Sequence, residues 1–279
     1  MDIGIRMKEN YENRYRIYLT RRIPIIIRID GKSFHSFTKG FKRPFDELLY
    51  RTMSKTGLEL VKNIQGSKIG YIQSDEISIL LTDYDKLTTS AYFDYNINKV
   101  NSVTSSMATL YFNRIFREEI DRFSDNIHNE ELRLRNRPII EQYEYYQSEH
   151  IKELNQLYQI YKSRIDSAMF DCRCFNIPES EVANYFIWRQ LDATRNSIEM
   201  FGQKYYTSNQ LKGVSCNQIQ DMLFKDYNIN WNDNPVYIKR GSSVIRDRES
   251  GIWIIDEEIP IFTQDRNYIE RLLPIPDRE

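Results

Sequence analysis

Apolar runs separated by polar turns predict four strands in the first two thirds of the chain. Residues 24–30 form a β-branched run typical of a buried strand, and residues 68–73 and 76–82 indicate a hairpin. Residues 169–176 indicate a fourth strand, which Pro178 ends because proline lacks the N–H group that a strand ladder needs. The strands leave two long intervals, and both carry a helical pattern.

Helical periodicity fills these two intervals. From Phe45 the apolar side chains recur three and four residues apart, and a second helix is predicted from near Leu87. The resulting order, strand–helix–strand–strand–helix–strand, is that of the ferredoxin-like βαββαβ fold. We therefore expect an α+β catalytic core with the palm-like arrangement that nucleic-acid polymerases and nucleotide cyclases use, although a fold alone does not determine function.

Two further segments extend this core. A charged stretch at about 113–168 keeps its apolar positions three and four residues apart, which predicts an inserted helical hairpin. A packing or oligomer arm is favoured over an RNA-binding arm, which three arginines near the tip keep open: Arg133, Arg135 and Arg137. In the C-terminal part, 236–246 and 252–259 indicate an edge hairpin. We expect a catalytic domain at 1–177 and, packed on it, an α+β part at 178–279 for tRNA or oligomer contacts.

Composition argues against several classes of protein. A hydrophobic fraction of 41% suffices for a packed core, and a net charge of −1 argues against a bulk electrostatic binder of nucleic acid. Basic residues are nevertheless concentrated between residues 28 and 55, where seven stand against three acidic ones. The cysteines are Cys172, Cys174 and Cys216, too few for a disulfide framework, and no His cluster accompanies them for zinc. With no signal peptide and no apolar run of about 18 residues, we expect a reduced, cytoplasmic protein without membrane contact.

Two carboxylates stand at the ends of predicted strands. Asp30 ends the first strand and is followed by Gly31, which lets the backbone turn sharply, while Asp75 lies in the turn of the hairpin. Mg²⁺ is usually held by one or two carboxylates plus substrate phosphates, and a pair of such ions clamps the reacting oxygens of a phosphoryl displacement. We expect the two strands to be neighbours, with Asp30 and Asp75 side by side. The adjacent Glu76 either assists through water or a second metal, or only orients the turn.

The loop after Asp30 has the features of a phosphate-binding segment. It comprises Lys32, Ser33, Phe34 and His35, whose successive backbone N–H groups precede a helix-like start and suit an anion. His35 is a candidate contact to the triphosphate or the base. The other candidate phosphate ligands are Lys39, Lys42, Arg43, which suits bidentate contact, and Ser74, which is equally well explained as a turn cap. These residues predict a nucleotidyl-transfer enzyme.

Four motifs of the chain form a recognisable set. They are Asp30-Gly31-Lys32-Ser33-Phe34-His35-Ser36-Phe37, Arg43-Pro44 with Asp46, Gln73-Ser74-Asp75-Glu76, and Trp188-Arg189-Gln190-Leu191-Asp192. Together they resemble the tRNA-His guanylyltransferase family, whose members add nucleotides to RNA 5′ ends in the 3′-to-5′ direction. The resemblance covers most of the chain outside the helical insertion, and its first and third motifs together are specific.

The resemblance implies a set of ligands and residue roles. Two Mg²⁺ ions would be bound by Asp30, Asp75 and the backbone oxygen of Gly31, with Asp30, Asp75 and Glu76 as the candidate catalytic residues. The nucleoside triphosphate would be held by Gly31, Lys32, Ser33, Phe34, His35, Lys39, Arg43, Ser74 and Lys99. ATP or GTP would first activate an RNA 5′-monophosphate, and the 3′-hydroxyl of an incoming nucleotide would then attack that end. Family members act on tRNA and are typically homotetramers.

One segment resembles a particular branch of the family. Residues 194–200 keep only Asn196 and Ile198 of the His-Ile-Asn-Asn-Leu-Tyr-Asn stretch found in the tRNA-His-specific branch. This favours the guanylyltransferase-like branch, which repairs truncated tRNA 5′ ends against the opposite strand as template. Addition of G to tRNA-His is the close alternative, a nucleotide cyclase the more distant one, and a catalytically silent RNA-binding protein a third class. Candidate RNA contacts are Arg189, Arg195, Asn196, Lys239 and Arg240.

Overall fold

An antiparallel sheet organises the described part of the chain. The computed structural model describes residues 2–134, 140 and 148–274. Within them, six strands form one sheet in the order β4-β1-β3-β2-β5-β6, and every neighbouring pair is antiparallel. The strands are β1 (Ile25–Gly31), β2 (Ser67–Gln73), β3 (Glu76–Leu81), β4 (Phe170–Asn176), β5 (Ser242–Arg246) and β6 (Trp253–Asp256).

Helices precede, connect and follow these strands. Within the same ranges they are α1 (Ile3–Asn10), α2 (Phe34–Phe37), α3 (Glu47–Asn63), α4 (Ile97–Leu134), α5 (Glu149–Lys162), α6 (Glu179–Tyr205), α7 (Ser208–Leu211), α8 (Cys216–Tyr227), α9 (Val236–Arg240) and α10 (Asn267–Glu270). Short 3₁₀ turns occur at Glu12–Tyr15, Tyr92–Tyr95 and Trp231–Asp233. None of the described helices combines the length and apolarity needed to cross a bilayer.

The predicted α+β class is confirmed, and the order β1-α3-β2-β3-α4-β4 follows the expected strands and helices. Two boundaries differ from the expectation. The helix predicted from near Leu87 begins at Ile97, because the side chain of Asn96 accepts a hydrogen bond from the Lys99 N–H (3.1 Å) and caps it there. The strand expected over 236–246 is the short helix α9 followed by β5, and Gly241, at φ 80°, separates the two.

Both faces of the sheet are buried, because successive side chains of a strand point to opposite sides. Ile25, Ile27 and Ile29 lie in the core under α3 and α4. Ile26 lies in the opposite core, which includes Phe186 of α6. The C-terminal hairpin extends the same sheet, since β5 pairs with β2, and the two parts of the chain therefore share a core.

The helical insertion is built on the long helix α4. This helix runs without interruption from the sheet into the insertion, and α5 packs back against it, with the ring of Tyr161 5.5 Å from that of Phe123. Arg135, Arg137 and the side chain of Arg133 lie outside the described residues, and the RNA-binding role considered for them stays a prediction.

Candidate active site

The two aspartates lie near each other, where β1 ends and β3 begins. Asp30 lies near the end of β1, opposite Glu76 in the ladder, and Asp75 lies in the turn between β2 and β3. The Gly31 N–H donates to the Asp75 carbonyl over 3.1 Å, which ties the end of β1 to that turn. The expectation that the two strands are neighbours is wrong, because β3 lies between β1 and β2. The aspartates come together because Asp75 immediately precedes β3.

The surroundings of Asp75 suit a cation. Burial raises its pKa above the ordinary value, and the nearby Asp30 carboxylate raises it further. A positive ion between the two would relieve this repulsion. Across residues 2–134, 140 and 148–274, no group of three or more His, Cys, Asp or Glu side chains gathers as a metal site. The two carboxylates and the nearby backbone offer oxygen donors, which would fit Mg²⁺ because that ion takes its other ligands from water and phosphate.

Glu76, expected either to assist catalysis or only to orient the turn, lies in a buried group of ion pairs. It is only 4% exposed, and Arg189 binds both of its carboxylate oxygens, with Nε 2.7 Å and Nη2 2.8 Å away. The Nε of Arg28 also donates to Glu76 over 2.8 Å. A carboxylate held by two guanidinium groups fixes the start of β3, so the structure supports the orienting role considered for Glu76.

The loop after Asp30 depends on the absence of a side chain at Gly31. A Cβ there would lie 2.3 Å from the ring of Phe34. That ring is itself fixed, since it contacts the rings of Phe37, Phe112 and Phe170 at centroid distances of 4.9, 5.5 and 5.1 Å. Ser33 adopts a left-handed conformation (φ 55°) just before α2, which turns the chain towards the cavity beside Asp75.

Gly31→Ala is expected to lower the free energy of unfolding by about 1–3 kcal/mol, because the methyl group overlaps a packed ring. Urea unfolding would measure the change. Repeating the substitution in a Phe34→Ala background should give a smaller loss, since the obstructing ring is then absent. An equal loss in both backgrounds would show that the clash is not the cause.

A cavity of about 570 Å³ opens beside Asp75. Of the predicted site residues it is lined by Gly31, Ser33, Phe34, His35, Lys42, Arg43, Ser74, Asp75 and Asn196, whereas Asp30 lies just outside the lining. Lys32, Lys39 and Lys99 do not line it, and all three are exposed. Lys99 lies in the first turn of α4, outside the cavity, although the family resemblance implied a phosphate contact.

Part of the cavity wall was not expected from the sequence. Tyr50 and Tyr237 stack at a centroid distance of 4.4 Å, and Phe45 lies 5.7 Å from each ring. All three line the cavity, as does Asp46. Phe45 belongs to an apolar pattern that indicated only a helix core, and Tyr237 to a segment predicted as strand. An aromatic wall of this kind suits the face of a nucleobase.

The candidate RNA contacts have different surroundings. Arg189 is 5% exposed and bound to Glu76, so its predicted RNA contact is not supported. Arg195 is exposed and pairs with Asp192 at 2.6 Å, and Lys239 donates to a backbone carbonyl. Arg240 is half-buried, and its carbonyl accepts a hydrogen bond from a tyrosine hydroxyl. Arg195 is the most accessible of these cations.

Comparison with known proteins finds relatives along most of the chain. The family model described as tRNAHis guanylyltransferase matches residues 5–178, and that of the Thg1 C terminal domain matches residues 180–268. Two solved structures of a bacterial tRNA-His guanylyltransferase-like protein are similar to it. The complex with ATP is 41% identical (TM-score 0.77) and covers 98% of this chain and 100% of its own. The complex with GTP is 40% identical (TM-score 0.71) and covers 97% and 98%.

A curated relative agrees with this result. The probable tRNA(His) guanylyltransferase of Dictyostelium discoideum is 25% identical over 243 residues, which are 82% of this chain and 77% of that protein. The two family models together span both parts of the chain, including the motifs around Asp30, Asp75 and Arg189. The chain therefore belongs to the tRNA-His guanylyltransferase family, whose members are nucleotidyltransferases.

Proposed function

We propose that this protein is a Mg²⁺-dependent, template-directed 3′-to-5′ nucleotidyltransferase that repairs tRNA 5′ ends after their activation by ATP or GTP. The observation that carries this proposal is that Asp30, at the end of β1, lies near Asp75, to whose carbonyl the next residue, Gly31, donates a hydrogen bond. Asp75 lines a cavity together with Ser33, His35 and Arg43. Carboxylates and phosphate-binding groups at one place are what nucleotidyl transfer requires.

The cavity is proposed to bind the nucleoside triphosphate. Its volume of about 570 Å³ lies in the range of ligand pockets. Ser33, Ser74 and Arg43 would bind the phosphates, and the aromatic wall formed by Phe45, Tyr50 and Tyr237 would contact the base. The complexes of the 41% and 40% identical bacterial proteins with ATP and GTP support this assignment. Lys32 and Lys39 would then act only at the mouth of the site.

The two aspartates and the Gly31 carbonyl are proposed to hold two Mg²⁺ ions. When bound, the ions would stabilise charge on the transferring phosphate and its neighbouring oxygens. The chain's own residues orient the reactants: the hydrogen bond between Gly31 and Asp75 keeps the two strand ends together, and Glu76, held by Arg28 and Arg189, fixes the turn.

The remaining expectations complete the proposal. The βαββαβ core would serve as a polymerase-like palm at 1–177, and residues 178–279 would contribute tRNA or oligomer contacts in a cytoplasmic homotetramer. Arg195, Asn196, Lys239 and Arg240 stay candidate RNA contacts, with Asn196 positioned on the cavity itself. The templated reaction is preferred to G addition because residues 194–200 lack most of the stretch found in the tRNA-His-specific branch.

Template dependence separates the candidate reactions. The protein is incubated with Mg²⁺, ATP, a 5′-labelled tRNA lacking its first nucleotide, and each nucleoside triphosphate separately, with each of the four bases at the opposing position. The nucleotide that pairs with the opposing base is expected to be added about 10-fold faster or more than the others.

Other outcomes would contradict the proposal. Addition of G whatever the opposing base would establish the tRNA-His reaction instead. Formation of a cyclic nucleotide without RNA would establish a cyclase. The absence of any extension on monophosphorylated and triphosphorylated ends would exclude both polymerase reactions.

A further inference from the structure

One wall of the cavity packs against the helical insertion. This wall, residues 40–46, runs between α2 and α3, and its members from Phe41 to Asp46 line the cavity. The ring of Phe41 meets that of Tyr161 edge-on at 4.9 Å. Gly40, at φ 91°, lies against the same helix, since a Cβ there would be 3.1 Å from the Cδ1 of Ile160. Helix α5 of the insertion therefore contacts the wall at both of these residues.

A buried carboxylate joins the same elements through hydrogen bonds. The Tyr161 hydroxyl donates to Oδ2 of Asp46 over 2.6 Å, and the Lys42 N–H donates to the same oxygen over 2.9 Å. The other oxygen, Oδ1, accepts from the Leu49 N–H over 2.9 Å and so caps the start of α3. Tyr161 is 2% exposed and Asp46 7%. One side chain thus links the wall, helix α3 and the insertion.

We propose that Tyr161 is a positioning residue for nucleotide binding, through which the helical insertion holds the wall that carries Arg43. The inference rests on the proposed function, in which Arg43 binds the triphosphate. Arg43 lies between Lys42 and Asp46, the two wall residues in this hydrogen-bond cluster. With the cluster intact, the backbone on both sides of Arg43 is fixed before the nucleotide binds. Without the tyrosine hydroxyl, part of the binding free energy would be spent on ordering this wall, and the affinity for the nucleotide would fall.

The raised pKa of Tyr161 favours its hydrogen bond to Asp46. Burial, followed by the charge of the Asp46 carboxylate, raises the pKa of Tyr161 well above its ordinary value. The hydroxyl is therefore protonated and able to donate at neutral pH. A hydrogen bond to a buried charged acceptor is also among the stronger ones that a side chain forms.

The test compares Tyr161→Phe with the wild-type full-length chain, using ATP with Mg²⁺ as the probe. We expect the Kd for ATP, and the KM for ATP in 5′ activation, to rise by about 3- to 10-fold while kcat stays within about 2-fold. Gly40→Ala disturbs a neighbouring contact between the wall and α5, the one with Ile160, and should raise the Kd in the same direction. Its effect does not depend on removing the hydroxyl.

Tyr268→Phe is the matched control. The Tyr268 hydroxyl donates to Asp256 over 2.7 Å and the residue is 6% exposed, but it does not line the cavity. Its loss should reduce stability as Tyr161→Phe does, with an unchanged Kd for ATP. If Tyr161→Phe reduces stability without changing Kd or KM, or if it lowers kcat alone, the inference is overturned and the proposed function stands. If the wild-type protein binds neither ATP nor GTP, both are overturned.

Discussion

Asp30→Asn and Asp75→Asn are each expected to lower the rate of nucleotide addition by about 10³-fold or more, because each would remove one of the two negative ligands of the proposed metal site. Asparagine keeps the size and one oxygen of the side chain, so the ends of β1 and β3 should stay folded. The rate is measured in single-turnover reactions with a 5′-labelled truncated tRNA. The loss should be smaller at high Mg²⁺ if weakened metal binding is the cause.

Asp85→Asn provides a control for the loss of a carboxylate near a strand end. Asp85 follows β3 at its far end and pairs with Lys68 on the surface, away from the cavity. It should change the rate by less than about 3-fold, as expected of an exposed ion pair. If Asp75→Asn keeps more than a tenth of the wild-type rate, the two-aspartate site is not the catalytic centre.

Local patterns were sufficient for most of the strands. The β-branched run predicted at 24–30 is β1, Ile25–Gly31, and it is buried on both faces as such a run requires. The hairpin predicted around Ser74 is also present. It could be predicted because both of its strands and its turn lie within one short segment. Such strands and turns are determined by neighbouring residues and can be predicted without knowledge of the tertiary structure.

Pairing between distant strands could not be obtained in the same way. Strand order places β3 between β1 and β2, and this depends on where the crossover helix α3 returns the chain rather than on the composition of either strand. The short segment at 236–240 shows a second limit, since five residues satisfy helical and extended patterns equally well. The helix ends at Gly241, whose positive φ turns the chain into β5 and where a Cβ would lie 2.4 Å from the Ile72 carbonyl.

The residues of the candidate site fall into the same two groups, those identified by a local motif and those brought in from remote segments. Residues 31–35 adjoin Asp30 in sequence, and four of the five line the cavity, so a motif was enough to find them. Tyr161 and Tyr237 reach the cavity wall from remote segments, and nothing in their local sequence distinguishes them from other tyrosines among the 20 present. Arg189 shows the converse case, because its charge indicated an RNA contact while its partner Glu76 is 113 positions away.

Arg189→Met is expected to lower the free energy of unfolding by about 3 kcal/mol, the largest stability effect among the variants discussed. Both Arg189 and Glu76 have side chains about 6% exposed, and the guanidinium binds both carboxylate oxygens. The variant would leave Glu76 buried with Arg28 as its remaining cation. Glu76→Gln should also be destabilising, since it leaves two guanidinium groups facing a neutral amide. Urea unfolding would measure both changes.

Arg195→Met tests whether burial, rather than loss of an arginine from α6, is the cause. Arg195 lies on the same helix, pairs with Asp192 at 2.6 Å and has a side chain that is 59% exposed. Because water already solvates that pair, its loss should cost no more than about 1 kcal/mol. Similar losses for the two arginine variants would contradict a special role for the buried pair. A large loss for Arg189→Met alone would show that the start of β3, and with it the turn carrying Asp75, depends on an ion pair supplied by the C-terminal part of the chain.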